Sequence, residues 1–282
     1  MESQPVRVID VRQLERERLI GCFLVDGVLI DCGPASRVDT VIEALGDTPP
    51  RALALTHIHL DHAGAAGTLV ERWPTLEVWV HERGAPHLVD PSRLLASAER
   101  LYGADMQRLW GTTRPVPSEN LRVLRGGEQI DGLEVAYTPG HASHHVSYLH
   151  RASRVAFVGD VAGVRVAPSA RVLAPTPPPD IDLERWLDSI ALVRAWQPRQ
   201  LAITHFGIFD DVDGQLERIE VALGRSAQLA RDAPLEEFVA VLAAEIDGDE
   251  DARGAAAYNL GAPLEQCYAG LERYWSKRAQ AA

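Results

Sequence analysis

The chain has 282 residues, 46% hydrophobic and 24% charged, which is the balance of an ordinary soluble globular protein with length for one large core or two modest ones. Its formal net charge of −12 argues against a nucleic-acid surface, which needs concentrated Lys and Arg. The opening Met-Glu-Ser-Gln-Pro lacks the basic-then-apolar pattern of a secretory signal, and no apolar run approaches the roughly 20 residues of a membrane helix. Three scattered cysteines, Cys22, Cys32 and Cys267, are too few for a disulfide framework or a thiolate zinc site, so a reducing cytoplasm is the expected compartment.

Residues 6 to 11 and 19 to 33 read as strands, the second interrupted by Asp26-Gly27, a dipeptide suited to a tight hairpin turn. Ser36 is placed to cap a helix running to Leu45, with Val38, Val41, Ile42 and Leu45 on one apolar face and Pro49-Pro50 beyond its end. A strand over 51 to 56, a helix to about Trp73 and a strand over 76 to 80 then make a βαβ unit inside a layered α/β fold. Between that strand and helix lie His57, His59, Asp61 and His62, four metal-ligand types in six positions. An extended segment turns 57, 59 and 61 to one side and leaves Ile58 and Leu60 to pack on the other. Imidazole and carboxylate together suit zinc, iron or manganese better than calcium or magnesium.

Residues 83 to 118 read as mainly helical, with Tyr102, Met106 and Trp110 at i, i+4 and i+8 on one helical stripe, either core or a lid over a pocket. Short runs at 119 to 124, 133 to 138, 146 to 149 and 154 to 158 are separated by turns and read as a second sheet built largely of hairpins. The proline-rich stretch 168 to 179 is expected to be extended. Asp182 caps a helix with Leu183, Trp186, Leu187, Ile190 and Val193 on one face, and 201 to 204 is a strand. From 211 onward three or four helices follow: Leu216, Ile219, Leu223 and Ala227 mark one inner face, and Phe238, Val241 and Leu242 the next. This tail, 211 to 282, carries 14 acidic and 7 basic residues, and its run at 247 to 251 reads as a solvated turn.

Three further ligand types each stand at a strand end: His141 after Thr138-Pro139-Gly140, Asp160 after the apolar run 155 to 158, and His205 after 201 to 204. With His-x-His-x-Asp-His at 57 to 62, this order resembles the metallo-β-lactamase superfamily over most of residues 20 to 210. The resemblance implies an αββα sandwich, with 1–210 as the catalytic domain and 211–282 as a C-terminal helical extension. It also implies one ion on His57, His59 and His141, a second on Asp61, His62 and His205, and Asp160 bridging them. Asp31 would stand behind the ligands and orient a histidine through its free ring nitrogen. His144 or His145 would also lie behind the ligands, with His145 the preferred one, whereas His81, His87 and His150 match nothing in the pattern and are expected at the surface or as caps.

Two ions about 3.5–4 Å apart share a bridging water, lower its pKa towards neutrality and hold the oxyanion that its attack creates. Asp61 would both ligate and steer the hydroxide's proton. No Gly-x-Ser-x-Gly nucleophile elbow occurs. Asp160 stands where many β-lactamases carry cysteine, which turns the reading away from antibiotics. The whole set resembles hydroxyacylglutathione hydrolase (glyoxalase II) and its relatives of unassigned substrate, which share the stretches at 81 to 87 and 138 to 145. Glyoxalase II holds glutathione with basic C-terminal helices, and the tail here is acidic. The expected protein is therefore a dinuclear hydrolase of a small ester, thioester or lactone, with zinc first and iron or manganese as alternatives. Phosphodiesterase activity is the first rival; a mononuclear iron persulfide dioxygenase is the second, disfavoured by the retention of His62 and His205. The expected partner is a small molecule, with no nucleic acid and no membrane, and the helical tail is left as lid, homodimer interface or both. Arg165 is either a surface arginine or a group for a substrate anion.

Overall fold

Strand residues alternate between two faces, and here both faces of each sheet are apolar. In the computed structural model, which describes residues 6–166 and 168–281, that pattern stacks four layers; the opening Met-Glu-Ser-Gln-Pro lies outside the described residues. The first sheet runs in chain order through β1 (Arg7–Asp10), β2 (Gly21–Val25), β3 (Val28–Ile30), β4 (Ala52–Ala54), β5 (Glu77–His81) and β6 (Leu121–Leu124). Its first three strands are antiparallel, and Asp26-Gly27 makes the β2–β3 turn with φ of 46° and 82°. From β3 to β6 the pairing is parallel, which requires helical crossovers. These are α1 (Val38–Leu45), then α2 (Leu60–Ala63) with α3 (Ala66–Arg72), then α4 (Ala85–Val89), α5 (Ser92–Tyr102) and α6 (Met106–Trp110).

The second sheet has the order β12-β11-β10-β9-β8-β7. Its strands are β7 (Gln129–Ile130), β8 (Leu133–Tyr137), β9 (Val146–His150), β10 (Val155–Gly159), β11 (Gln200–Ile203) and β12 (Gly207–Phe209). Because β8 and β10 are both antiparallel to β9, and β11 is parallel to β10, the C-terminal ends of β8, β10 and β11 point the same way. The crossover from β10 to β11 passes through α7 (Leu183–Ala195), whose first turn is capped by Asp182 accepting from the Arg185 N–H at 3.1 Å. Four helices close the chain: α8 (Val212–Asp232), α9 (Leu235–Asp249), α10 (Ala252–Gly261) and α11 (Leu264–Ala281).

Alternation explains the layers. Val28, Ile30 and Trp79 face Val135, Tyr148 and Phe157 between the sheets, while Leu29, Val78 and Val80 point outward to Val41, Leu69 and Val70. On the far side Ala156 and Val158 meet Trp186 and Ile190 of α7, and the same core takes in Ile219 of α8, Phe238 of α9 and Leu271 of α11. The C-terminal helices thus share the core of the second sheet. Among the described residues no helix is long and apolar enough to cross a membrane.

Several expectations need correction. The run at 119 to 124 joins the first sheet, parallel to β5, because the crossover through α4–α6 returns the chain to that sheet's open edge. The helix expected to run on from His62 is broken into α2 and α3, and the stripe of Tyr102, Met106 and Trp110 spans two helices, since Gly103 leaves helical geometry at φ 48°. Tyr102 and Trp110 still meet, ring centroids 5.0 Å apart. Ser36 does not cap α1; a 3-10 turn at Ala35–Arg37 leads into it, and the Ser36 hydroxyl donates instead to the Leu109 carbonyl at 2.7 Å.

Candidate metal centre

The His57–His62 motif leaves the end of β4, and His141, Asp160 and His205 leave the aligned ends of β8, β10 and β11. Backbone bonds between the sheets hold the two sets together: Val146 N–H donates to Thr56 O and Gly21 N–H to Thr204 O, both at 2.8 Å. Two clusters result, His57, His59, His141 and Asp160 in one, Asp61, His62 and His205 in the other, each with ligand atoms within 4.8 Å of one another. In the first, His57 Nε2 and His141 Nε2 both lie 3.0 Å from His59 Nδ1, so three ring nitrogens converge on one point. Asp160 faces both clusters: Oδ2 is 3.2 Å from His141 Nε2, and Oδ1 is 3.3 Å from His62 Nε2 and 3.6 Å from His205 Nε2. Asp61 Oδ2 closes the second cluster at 3.3 Å from His205 Nε2.

The rings are aimed from behind. His62 Nδ1–H donates to Asp31 Oδ2, His141 Nδ1–H to the Pro175 carbonyl and His205 Nδ1–H to the Leu19 carbonyl, each at 2.8 Å. Protonation at Nδ1 leaves each Nε2 with a free lone pair, the tautomer a metal needs. His62 Nε2, His205 Nε2 and Asp160 Oδ1 are buried and find no hydrogen-bond partner among the described residues. An unpaired buried polar atom costs about 1–3 kcal/mol, so three facing one another form a cradle that a cation would satisfy.

Electrostatics point the same way. Burial, then neighbouring rings, pushes His57 well below the usual histidine range and His59 down to about 4. Burial likewise lowers His141. Burial would raise Asp160 and Asp61, but His62 and the other rings outweigh it, holding Asp160 well below the carboxylate range and Asp61 at about 2. For His62 and His205 burial is overcome by the Asp160 and Asp61 carboxylates, which raise both. Neutral rings and ionised carboxylates are what a divalent ion requires, and the field that raises His62 and His205 would also attract one.

Residues outside the clusters are sorted by the same geometry. His145 accepts the Asp160 backbone N–H on Nε2 at 3.3 Å and meets the Thr138 hydroxyl through Nδ1 at 3.0 Å, so it supports Asp160 from behind. His144 lines the open cleft. His81 and His150 are not at the surface: His81 stacks on Tyr137, centroids 4.3 Å apart, and His150 bonds Asp26 and Ser153 at 3.1 and 2.8 Å. Arg165 does not line the cleft; its guanidinium lies 4.3 Å over the Phe209 ring and donates to Ser169 O and Gln215 Oε1. Sequence reading passed over Thr56 and Thr204, whose hydroxyls both donate to Asp31. A signal for them was present, since Ala-Leu-Thr-His at 54 to 57 is echoed by Ala-Ile-Thr-His at 202 to 205.

A cleft of about 380 Å³ opens over the clusters, with His59, Asp61, His141 and Asp160 at its base. Its walls come from α5 and α6, the 175 to 180 loop, and the junction of α10 with α11. Asp61, its side chain 20% exposed, is the more open of the two cluster carboxylates.

Comparison with known proteins gives a consistent result. The chain is 29% identical over 163 residues to the metallo-beta-lactamase fold-containing protein ST1585 of Sulfurisphaera tokodaii, a match spanning 55% of this chain and 60% of that one. A hydroxyacylglutathione hydrolase of Xylella fastidiosa is 32% identical over 111 residues, 39% of this chain and 32% of that enzyme. The crystal structure of ST1585 superposes with a TM-score of 0.73 at 22% identity, covering 95% of this chain and 98% of that one. TTHA1623, described in a di-iron-bound form, shares the fold at a TM-score of 0.53 and 22% identity, over 77% of this chain and 93% of that one. The sequence profile of the metallo-beta-lactamase superfamily runs from residue 21 to residue 205, from β2 to the last of the gathered histidines, and the chain belongs to that superfamily.

Proposed function

We propose that this protein is a dinuclear metal-dependent hydrolase of a small ester, thioester or lactone. One observation carries the reading: Asp160 stands between the two clusters with a carboxylate oxygen toward each. His57, His59 and His141 would hold one ion and Asp61, His62 and His205 the other, with Asp160 shared. Two such ions, when bound, supply a water of lowered pKa and a Lewis acid for the acyl oxygen. Zinc is the proposed metal; the same nitrogen and oxygen donors accept iron or manganese, and TTHA1623 is described with two irons.

The chain's own groups do the rest. Asp31, Pro175 O and Leu19 O fix three rings in one tautomer, so the donor set is formed before substrate arrives. Asp61 stays ionised over the working pH range and reaches the cleft, where its carboxylate is placed to accept and pass on a proton. Leu60, Trp110 and the 175 to 180 loop wall the base against water. A reducing cytoplasm belongs to this reading, since Cys22, Cys32 and Cys267 are buried free thiols.

The test is elemental analysis of protein purified without added metal, read beside turnover of an ester, thioester and lactone panel. About two ions per chain with turnover, reduced to about one by His62→Ala or His205→Ala, is the expected result. One iron per chain, oxygen uptake on a persulfide and no hydrolysis would move the assignment to an oxygenase.

A further inference from the structure

The wall of the cleft formed by α5 is graded in character. Arg93, Ser97 and Arg100, spaced i, i+4 and i+7, share one edge of the helix; Ala98 and Tyr102 share the other, with Leu94 and Leu101 between them, and all line the cleft. The Ala98–Tyr102 edge packs on Leu60 and Trp110, next to Asp61. The wall therefore runs from the metal cluster, across an apolar strip, to a cationic edge. Arg83 lines the same cleft and adds to its positive charge.

Elsewhere on the surface Arg72, Arg114 and Arg125 are paired with Asp47, Glu71 and Glu82. Arg93, Arg100 and Arg83 make no ion pair among the described residues, although the chain carries 40 acidic against 28 basic side chains. The carboxylates lining this cleft are Asp61 and Asp160 at the metal end and Asp180, which accepts the Ser143 hydroxyl at 2.5 Å. Arg93 also acts on the Asp90 carboxylate, but Asp90 does not line the cleft, and cations across an apolar strip from a hydrolytic centre define a ligand with two ends.

We propose that the cleft selects acyl substrates whose far end carries a carboxylate, the acyl carbon at the Asp61–Asp160 base, the chain over Leu94, Leu101 and Tyr102, and the carboxylate on Arg93 and Arg100. The proposal rests on the hydrolase reading above. In the reaction a water oxygen bonds to the acyl carbon, the bond to the leaving oxygen or sulfur breaks, and the proton passes to the leaving group. Anion selection thus falls to α5, while the C-terminal helices, acidic overall, are unsuited to it.

The experiment compares 4-nitrophenyl hydrogen suberate with its neutral methyl ester on the metal-loaded full chain, in wild type, Arg93→Gln/Arg100→Gln and the remote control Arg122→Gln. The expected result is a KM for the carboxylated ester that rises roughly tenfold or more in the double variant, with kcat and the methyl ester little changed. Added salt should raise the same KM in wild type. Equal KM for the two esters, or a preference that survives the double variant, overturns the proposal and leaves the hydrolase reading standing. If neither ester turns over, the hydrolase reading is what has failed, and calorimetric titration with suberate decides the cleft separately. Saturable binding lost in the double variant supports the anion site; binding that is absent, or unchanged in the variant, overturns it.

Discussion

Asp31 accepts a hydrogen bond from His62 Nδ1 at 2.8 Å, which turns the opposite ring nitrogen of His62 to within 3.3 Å of Asp160 Oδ1. The same carboxylate accepts from the Thr56 N–H at 2.7 Å and from the hydroxyls of Thr56 and Thr204. One buried side chain therefore ties the end of β4 in the first sheet to the end of β11 in the second.

Replacing Asp31 with Asn should lower the affinity of the Asp61–His62–His205 cluster for a metal ion about 10–100-fold, because an amide cannot hold His62 in the same tautomer with the same strength. Asp31→Ala should also destabilise the fold by roughly 3–5 kcal/mol, since several buried donors lose their acceptor. Competition against a chromophoric chelator measures the first effect and denaturant unfolding the second. An unchanged metal affinity would remove Asp31 from the site.

The chelated protein should lose stability as pH falls. His57, His59 and His141 have folded pKa values below the unfolded histidine value, so their contribution is complete above about pH 6.5 and is lost as pH drops through the folded values, about 4 for His59. His144 and His145, lowered by burial, add to the loss. His62 and His205 are raised, so theirs is complete below pH 6.5 and opposes it. With His81 also lowered by burial, six lowered rings against two raised ones set the sign. The expected result is a Tm that falls between pH 7 and pH 4.5 with chelator present. A Tm that rises on acidification in the presence of chelator would contradict this balance.

Gly140→Ala should cost about 3 kcal/mol and disturb His141. Gly140 has φ of 134°, and a Cβ there would lie 2.3 Å from Trp186 Cα. Gly224, within α8, is the contrast: an added Cβ meets nothing within 4 Å, so Gly224→Ala should stabilise by about 0.4–1 kcal/mol. Urea unfolding of both variants checks the pair, and equal effects would show that the approach of α7 to the His141 loop is not tight.

Arg165→Ala should leave KM unchanged for charged and neutral substrates alike. Its guanidinium is held by Phe209, Ser169 O and Gln215, so its removal should cost stability of about 1–2 kcal/mol. A KM increase confined to the carboxylated ester would show that Arg165 reaches substrate in solution.

Much of this architecture could be read before any coordinates. The Asp26-Gly27 turn, the Asp182 cap and the strand-then-ligand pattern at His57, His141, Asp160 and His205 are local signals, each carried by a few adjacent residues. The residues 119 to 124 look no different from a hairpin strand, yet β6 pairs parallel with β5 across an intervening run of three helices. Ser36 has the chemistry of a cap, but a carbonyl 73 residues away, at Leu109, takes its hydroxyl.

The sequence by itself determined which residues carry chemistry and their order along the chain, because strand alternation and turn chemistry act between near neighbours. Only the tertiary structure decided that Asp160 faces both clusters, that His81 and His150 are buried, that Arg165 turns to Phe209, and that Arg93 and Arg100 line the same cleft as Asp61. Those relationships depend on packing between segments distant in the chain, and no local pattern of residues encodes such contacts.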